Sequence, residues 1–125
     1  MYSRKKMLIK DFKKCKEIRA LDDTILRELL NPEKENIDIH YSLAHAKVEP
    51  GKTTISHKLM HSEVYYILKG KGLMFVDEEK KTVSENQAIY IPAGAVQKIK
   101  NIGEGELEFL CIVDPPWTPE CEELV

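Results

Sequence analysis

From residue 30 onward, tight-turn signals recur at short intervals: Asn31-Pro32, Pro50-Gly51, Gly70-Lys71-Gly72, Asp77-Glu78-Glu79, Pro92-Ala93-Gly94, Gly103-Glu104-Gly105 and Pro115-Pro116. Between them lie short segments rich in Val, Ile and Tyr. Residues 37–48, 64–69, 72–76, 87–91, 96–100 and 106–113 read as strands. Their spacing predicts an antiparallel sandwich or barrel, so the fold class is all-β. Residues 24–32 (TILRELLNP) are ambiguous, because Leu, Arg and Glu favour helix while Asn31-Pro32 stops whatever precedes it. We expect an extra N-terminal strand there.

At 125 residues, with no segment rich in Gly, Pro or Ser to act as a linker, the chain is expected to form one domain over 1–125. Residues 37–113 would form its core, and residues 1–36 would be extension strands. With 42% apolar and 32% charged residues it has enough hydrophobic material for a core and a heavily charged surface. The formal net charge is −2, and only the first twenty residues are rich in Lys and Arg. Nucleic acid is therefore not an expected partner, since phosphate recognition needs a clustered basic face. No apolar run approaches the roughly 18 to 20 residues that span a bilayer, and MYSRKKMLIKDF lacks the apolar stretch of a secretory signal. The expected setting is the cytoplasm, with no membrane partner. Cys15, Cys111 and Cys121 are odd in number and have no CxxC spacing, so they read as free thiols.

In residues 64–68 both faces, Val64/Tyr66/Leu68 and Tyr65/Ile67, are apolar, whereas a sheet with one wet face alternates. One face would form the interior; the other would be covered by a second subunit, giving a homodimer, or by the N-terminal segment. On 44–48 the small apolar set Ala44, Ala46 and Val48 is the expected core face, which places His45 outside.

The polar residues that stand out are His57, His61 and Glu63, between the Pro50-Gly51 turn and the strand beginning at Val64. Imidazole and carboxylate together suit a divalent transition metal. On an unbroken strand His57, Leu59, His61 and Glu63 share one face, and a turn near 60–62 breaks that parity.

Gly51, His57, Glu63 and Gly70, separated by five, five and six residues, resemble the first motif of the cupin superfamily. Asn86, Pro92-Ala93-Gly94, Gln97 and Asn101 resemble its second. The resemblance covers residues 51–101 and implies a double-stranded β-helix, or jelly-roll barrel. It also implies a habit of dimerisation and a metal (Fe, Mn, Ni, Cu or Zn) held inside by three His and one Glu. His57 and Glu63 match ligand positions. Leu59 stands where a second His is usual, Gln97 where the last His is usual, and Asn86 where Gly is usual. Gln97 offers only an amide oxygen, and His61 would have to complete the set. The expected donors are therefore His57, Glu63, Gln97 and His61.

Tyr65 and Tyr90 are expected substrate-binding residues, since a hydroxyl at a pocket orients a substrate oxygen; both also read as core, with Phe75. Trp117 reads as an anchor for the tail, and Glu120, Glu122 and Glu123 as a solvated acidic end. These readings imply a small metal-dependent enzyme acting on an oxygen-rich small molecule, a sugar or carboxylic acid, with isomerase, decarboxylase or dioxygenase chemistry. The alternative is a non-catalytic binding module with a degenerate site, and Leu59 and Gln97 favour it.

Overall fold

The computed structural model describes residues 6–125. Eleven strands make up almost all the regular structure: β1 (Glu17–Arg19), β2 (Ile25–Leu30), β3 (Ser42–Val48), β4 (His57–Leu59), β5 (Ser62–Lys69), β6 (Lys71–Val76), β7 (Glu79–Ser84), β8 (Ala88–Ile91), β9 (Val96–Asn101), β10 (Leu107–Asp114) and β11 (Glu122–Leu124). Six strands form one sheet in the order β1-β2-β3-β10-β5-β8, and five form the other in the order β11-β4-β9-β6-β7. Every strand pairing is antiparallel. The all-β class read from the turn spacing is the observed one, and the two antiparallel sheets fit the jelly roll that the motif resemblance implies. No helix among the described residues is long and apolar enough to cross a membrane.

Five of the six expected strand segments form close to their expected bounds, the first forms only from Ser42 because residues 37–41 are not strand, and residues 25–30 resolve as a strand. The β-ladder with β3 satisfies their backbone groups, which outweighs the helix preference of Leu, Arg and Glu. Strands β1, β4, β7 and β11 have no clear pattern in the sequence. Strand β7 (EKKTVS) lies at the edge of its sheet, where Lys80 and Lys81 keep that edge in water and hide the strand from any reading based on hydrophobicity.

Side-chain alternation places the core. Ala46, Val48, Tyr65, Ile67, Met74, Ile99, Leu107 and Phe109 point between the sheets and are buried, with Tyr65 stacked on Phe109 at 4.3 Å between ring centroids. At about 2 kcal/mol per fully buried large apolar side chain, this cluster is the main favourable term for the fold. A smaller cluster of Leu59, Val113 and Cys121, flanked by Trp117, closes one end.

His45 lies on the face opposite Ala44 and Ala46, as the alternation predicts, but it is only 8% exposed. The N-terminal segment covers it: Phe12 meets its ring edge-on at 4.5 Å, and Glu108 holds Nε2 at 3.0 Å. That segment therefore lies over the outer face near His45, with Arg27 also stacked on Phe12. The outer residues of β5 stay less covered: Leu68 is 43% exposed and Val64 and Tyr66 are half-buried.

Candidate functional site

The chain crosses from one sheet to the other at Met60-His61, so His57 on β4 and Glu63 on β5 enter the interior from facing walls. Gln97 on β9 is the direct cross-strand partner of His57. These three expected site residues therefore share the barrel interior, and all are buried. Tyr65, two residues from Glu63 on the same face, donates its hydroxyl to Gln97 Oε1 at 2.9 Å.

The other two expected residues lie elsewhere. His61 sits on the sheet-switching turn, where Nδ1 is 2.9 Å from the carbonyl of Pro115. The turn breaks the parity that would otherwise bring it alongside His57. Tyr90 is paired with Val64 on the outer face and is 66% exposed, because in β8 the residues turned inward are Ile89 and Ile91. It is neither core nor part of the cavity.

Two further carboxylates complete the site, from segments that carried no functional signal. Asp22 lies in the β1–β2 hairpin; its Oδ1 accepts from the Thr24 hydroxyl at 2.7 Å and the Thr24 amide at 3.2 Å. Its Oδ2 stands 3.5 Å from His57 Nε2. Glu122 opens β11, accepts the Trp117 indole N–H at 2.8 Å through Oε1, and brings Oε2 to 3.8 Å from the same His57 nitrogen. The acidic end read as solvated is thus divided: Glu123 is exposed and pairs with Lys58, whereas the side chain of Glu122 is buried. Pairing of β11 with β4 turns it inward. Only the Asp-x-Thr pattern at Asp22 hints at a structured turn, and no local pattern marks Glu122.

His57 Nδ1 donates to the carbonyl of Ile55 at 2.8 Å, which fixes the ring and leaves Nε2 facing the two carboxylates. A proton on Nε2 makes both contacts ion pairs. Glu63 is strongly perturbed. Burial pushes its carboxyl up to about 8; a hydrogen bond from Gln97 opposes the shift and the charges of Asp22 and Glu122 add to it. Among the described residues, its buried Oε1 has no hydrogen-bond partner. A buried polar atom without a partner costs about 1–3 kcal/mol, so Oε1 is a group that a bound molecule could satisfy.

Asp22, His57, Glu63, Tyr65 and Glu122 line a cavity of about 430 Å³, with Ala44, Ala46, Phe109 and Trp117 among its walls. That is room for a small organic molecule. The side chains do not match the four-donor metal site that the motif resemblance implies. Leu59 is packed in an apolar cluster, the Gln97 oxygen is taken by Tyr65, and His61 is held by Pro115. Among the described residues, no three His, Cys, Asp or Glu side chains are arranged to hold a metal ion.

Two facing antiparallel sheets with an interior His and Glu define a small cupin barrel. The family model for the cupin domain matches residues 44–113, more than half the chain, and the chain belongs to the cupin family. An uncharacterized protein of Methanocaldococcus jannaschii is 42% identical over 123 residues, 96% of each chain. Among solved structures, a predicted oxalate decarboxylase from Thermotoga maritima superposes with a TM-score of 0.75 at 22% identity, covering 86% of this chain and 99% of that one. Pac13, a nucleoside dehydratase, superposes with a TM-score of 0.77 at 16% identity over 96% and 92%. At those identities the likeness is one of fold.

Proposed function

We propose that this cupin binds a small, oxygen-bearing organic molecule in its barrel and moves protons on it. Glu63 is the acid, and His57, flanked by Asp22 and Glu122, receives the proton. The observation that carries the reading is Glu63 Oε1, buried, unpartnered and on the wall of the cavity. A carboxyl pushed up to about 8 holds its proton at neutral pH, and Gln97 at its other side leaves Oε1 to meet the substrate. Tyr65 orients Gln97, and through it Glu63. The apolar walls exclude water, so proton transfer takes place against fixed partners.

A test is C–H exchange in D2O, followed by NMR, over a panel of hydroxy ketones, sugars and carboxylic acids, together with elemental analysis of untagged protein. Exchange that is lost in Glu63→Gln, with no stoichiometric metal, is the expected result. Stoichiometric Fe, Mn, Ni, Cu or Zn would replace this reading with a metal-dependent one in which His57 and Glu63 are ligands. No exchange on any compound would leave a binding module, the reading that Leu59 and Gln97 favour.

We also propose that two copies pair through the outer face of β5, β8 and β10. There the apolar side chains of Val64, Tyr66, Leu68, Tyr90, Leu110 and Ile112 are only partly covered. The proposed setting is the cytoplasm.

A further inference from the structure

We propose that the cavity is built for an organic ammonium: a protonated amine carried on a small apolar body, seated between Asp22 and Glu122 against Trp117. The proposal deepens the proton-transfer reading and rests on the same cavity. Asp22 and Glu122 lie outside residues 44–113, the part matched by the family model, so this feature belongs to this chain's own extensions.

Charge balance carries the argument. At the inner end of the cavity two buried carboxylates face one imidazole nitrogen, at 3.5 and 3.8 Å, and Glu63 adds a third carboxyl. The two cationic side chains on the wall are committed elsewhere: Lys34 to Glu28 at 2.7 Å, and Arg19 to Asp23 and Glu49 at 3.8 and 3.7 Å. Even with His57 protonated, three carboxyls share one cation, and burial, which pushes the Glu122 and Glu63 carboxyls up, disfavours their negative charge. A ligand cation offsets that cost.

The second observation is independent of that charge count. Glu63 is only 6% exposed, and its Oε1 has no partner on the wall of the same cavity. An ammonium has three N–H donors, enough to meet Asp22, Glu122 and that orphaned oxygen together. The walls also suit it. Phe109, Tyr65 and Trp117 line the cavity, and aromatic faces attract cations. Lys34, also on the cavity wall, already stands 5.9 Å over the Trp117 ring. A ligand carboxylate would have to approach Asp22 and Glu122, with the His57 imidazole already facing both.

Trp117 is the only tryptophan in the chain, so its fluorescence reports occupancy directly. The full chain is titrated with benzylamine, benzyl alcohol, benzoate, oxalate, ZnCl2 and MnCl2. The expected result is a saturable change with benzylamine, with benzyl alcohol and benzoate at least tenfold weaker. Glu122→Gln and Asp22→Asn should each weaken benzylamine at least tenfold, whereas Glu123→Gln on the exposed side of the same strand should leave it within twofold. If loss of the Thr24 contacts unfolds Asp22→Asn, Glu122→Gln decides alone. Benzoate or oxalate binding as tightly as benzylamine would overturn the ammonium class while leaving acid–base chemistry in the cavity standing. Binding of zinc or manganese without binding of benzylamine would overturn both. Silence from Trp117 toward every probe would overturn the ammonium site.

Discussion

Glu63 ties the stability of the protein to pH. Its carboxyl titrates near 4.5 in an ordinary environment and is pushed up to about 8 by burial in the folded chain. Between those values the unfolded chain has released a proton that the folded chain still holds. Stability is therefore greatest below the lower value, falls as pH rises through the window and levels off above it. The width of the window corresponds to a loss on the order of 5 kcal/mol. Glu63→Gln keeps the shape and removes the titration. Denaturant unfolding at several pH values should show the stability of the variant gaining steadily on that of the parent from pH 4.5 to 8. Parallel curves would mean that Glu63 is ionised in the fold. The same proton makes Glu63 an acid at neutral pH, so its stability cost and its chemistry have one origin.

At the scale of elements, the turns govern how the two sheets meet. Gly70, between β5 and β6, has φ +92°, and a Cβ there would lie 2.8 Å from the carbonyl oxygen of Glu106. Both the left-handed backbone and the close approach exclude a side chain. Gly70→Ala should lower stability by about 1 to 3 kcal/mol in thermal or denaturant melts. Gly105→Ala, where a Cβ meets nothing within 4 Å, should stay within about 0.5 kcal/mol of the parent. Equal effects at the two positions would show that Gly70 is not confined in this way. Asn86, which replaces the usual Gly of the second motif, has φ 70°. Asn is among the few residues that tolerate that region, so the departure in sequence preserves the turn.

For the whole molecule, the proposed twofold pairing makes a direct prediction. Light scattering at micromolar concentration should give twice 14.4 kDa, and Leu68→Lys, on the partly exposed outer face of β5, should shift the mass to the monomer value. A two-fold interface places each substitution in the contact twice, which makes a single charge effective. A parent mass of 14.4 kDa would end the proposal and leave that face as surface.

Strands and turns were legible because their signals are local: turn residues at short intervals, β-branched segments between them, and two-residue alternation on β3. His57 and Glu63 stood out as nearby metal-type donors, and the resemblance of the motif spacing to the cupin motifs added Gln97. Only the tertiary structure decided the rest, because burial of a polar residue depends on what folds over it from far along the chain. Asp22 comes inward with an N-terminal hairpin and Glu122 with a C-terminal strand, and neither segment carries a pattern of its own. His45 is on the face its alternation predicts but is buried by Phe12, thirty-three positions earlier. Tyr65 and Tyr90 both sit in apolar strands, and only the register of β5 against β8 sends one into the barrel and the other out. A sequence records which side of a strand a residue occupies; what covers that side is settled by long-range packing.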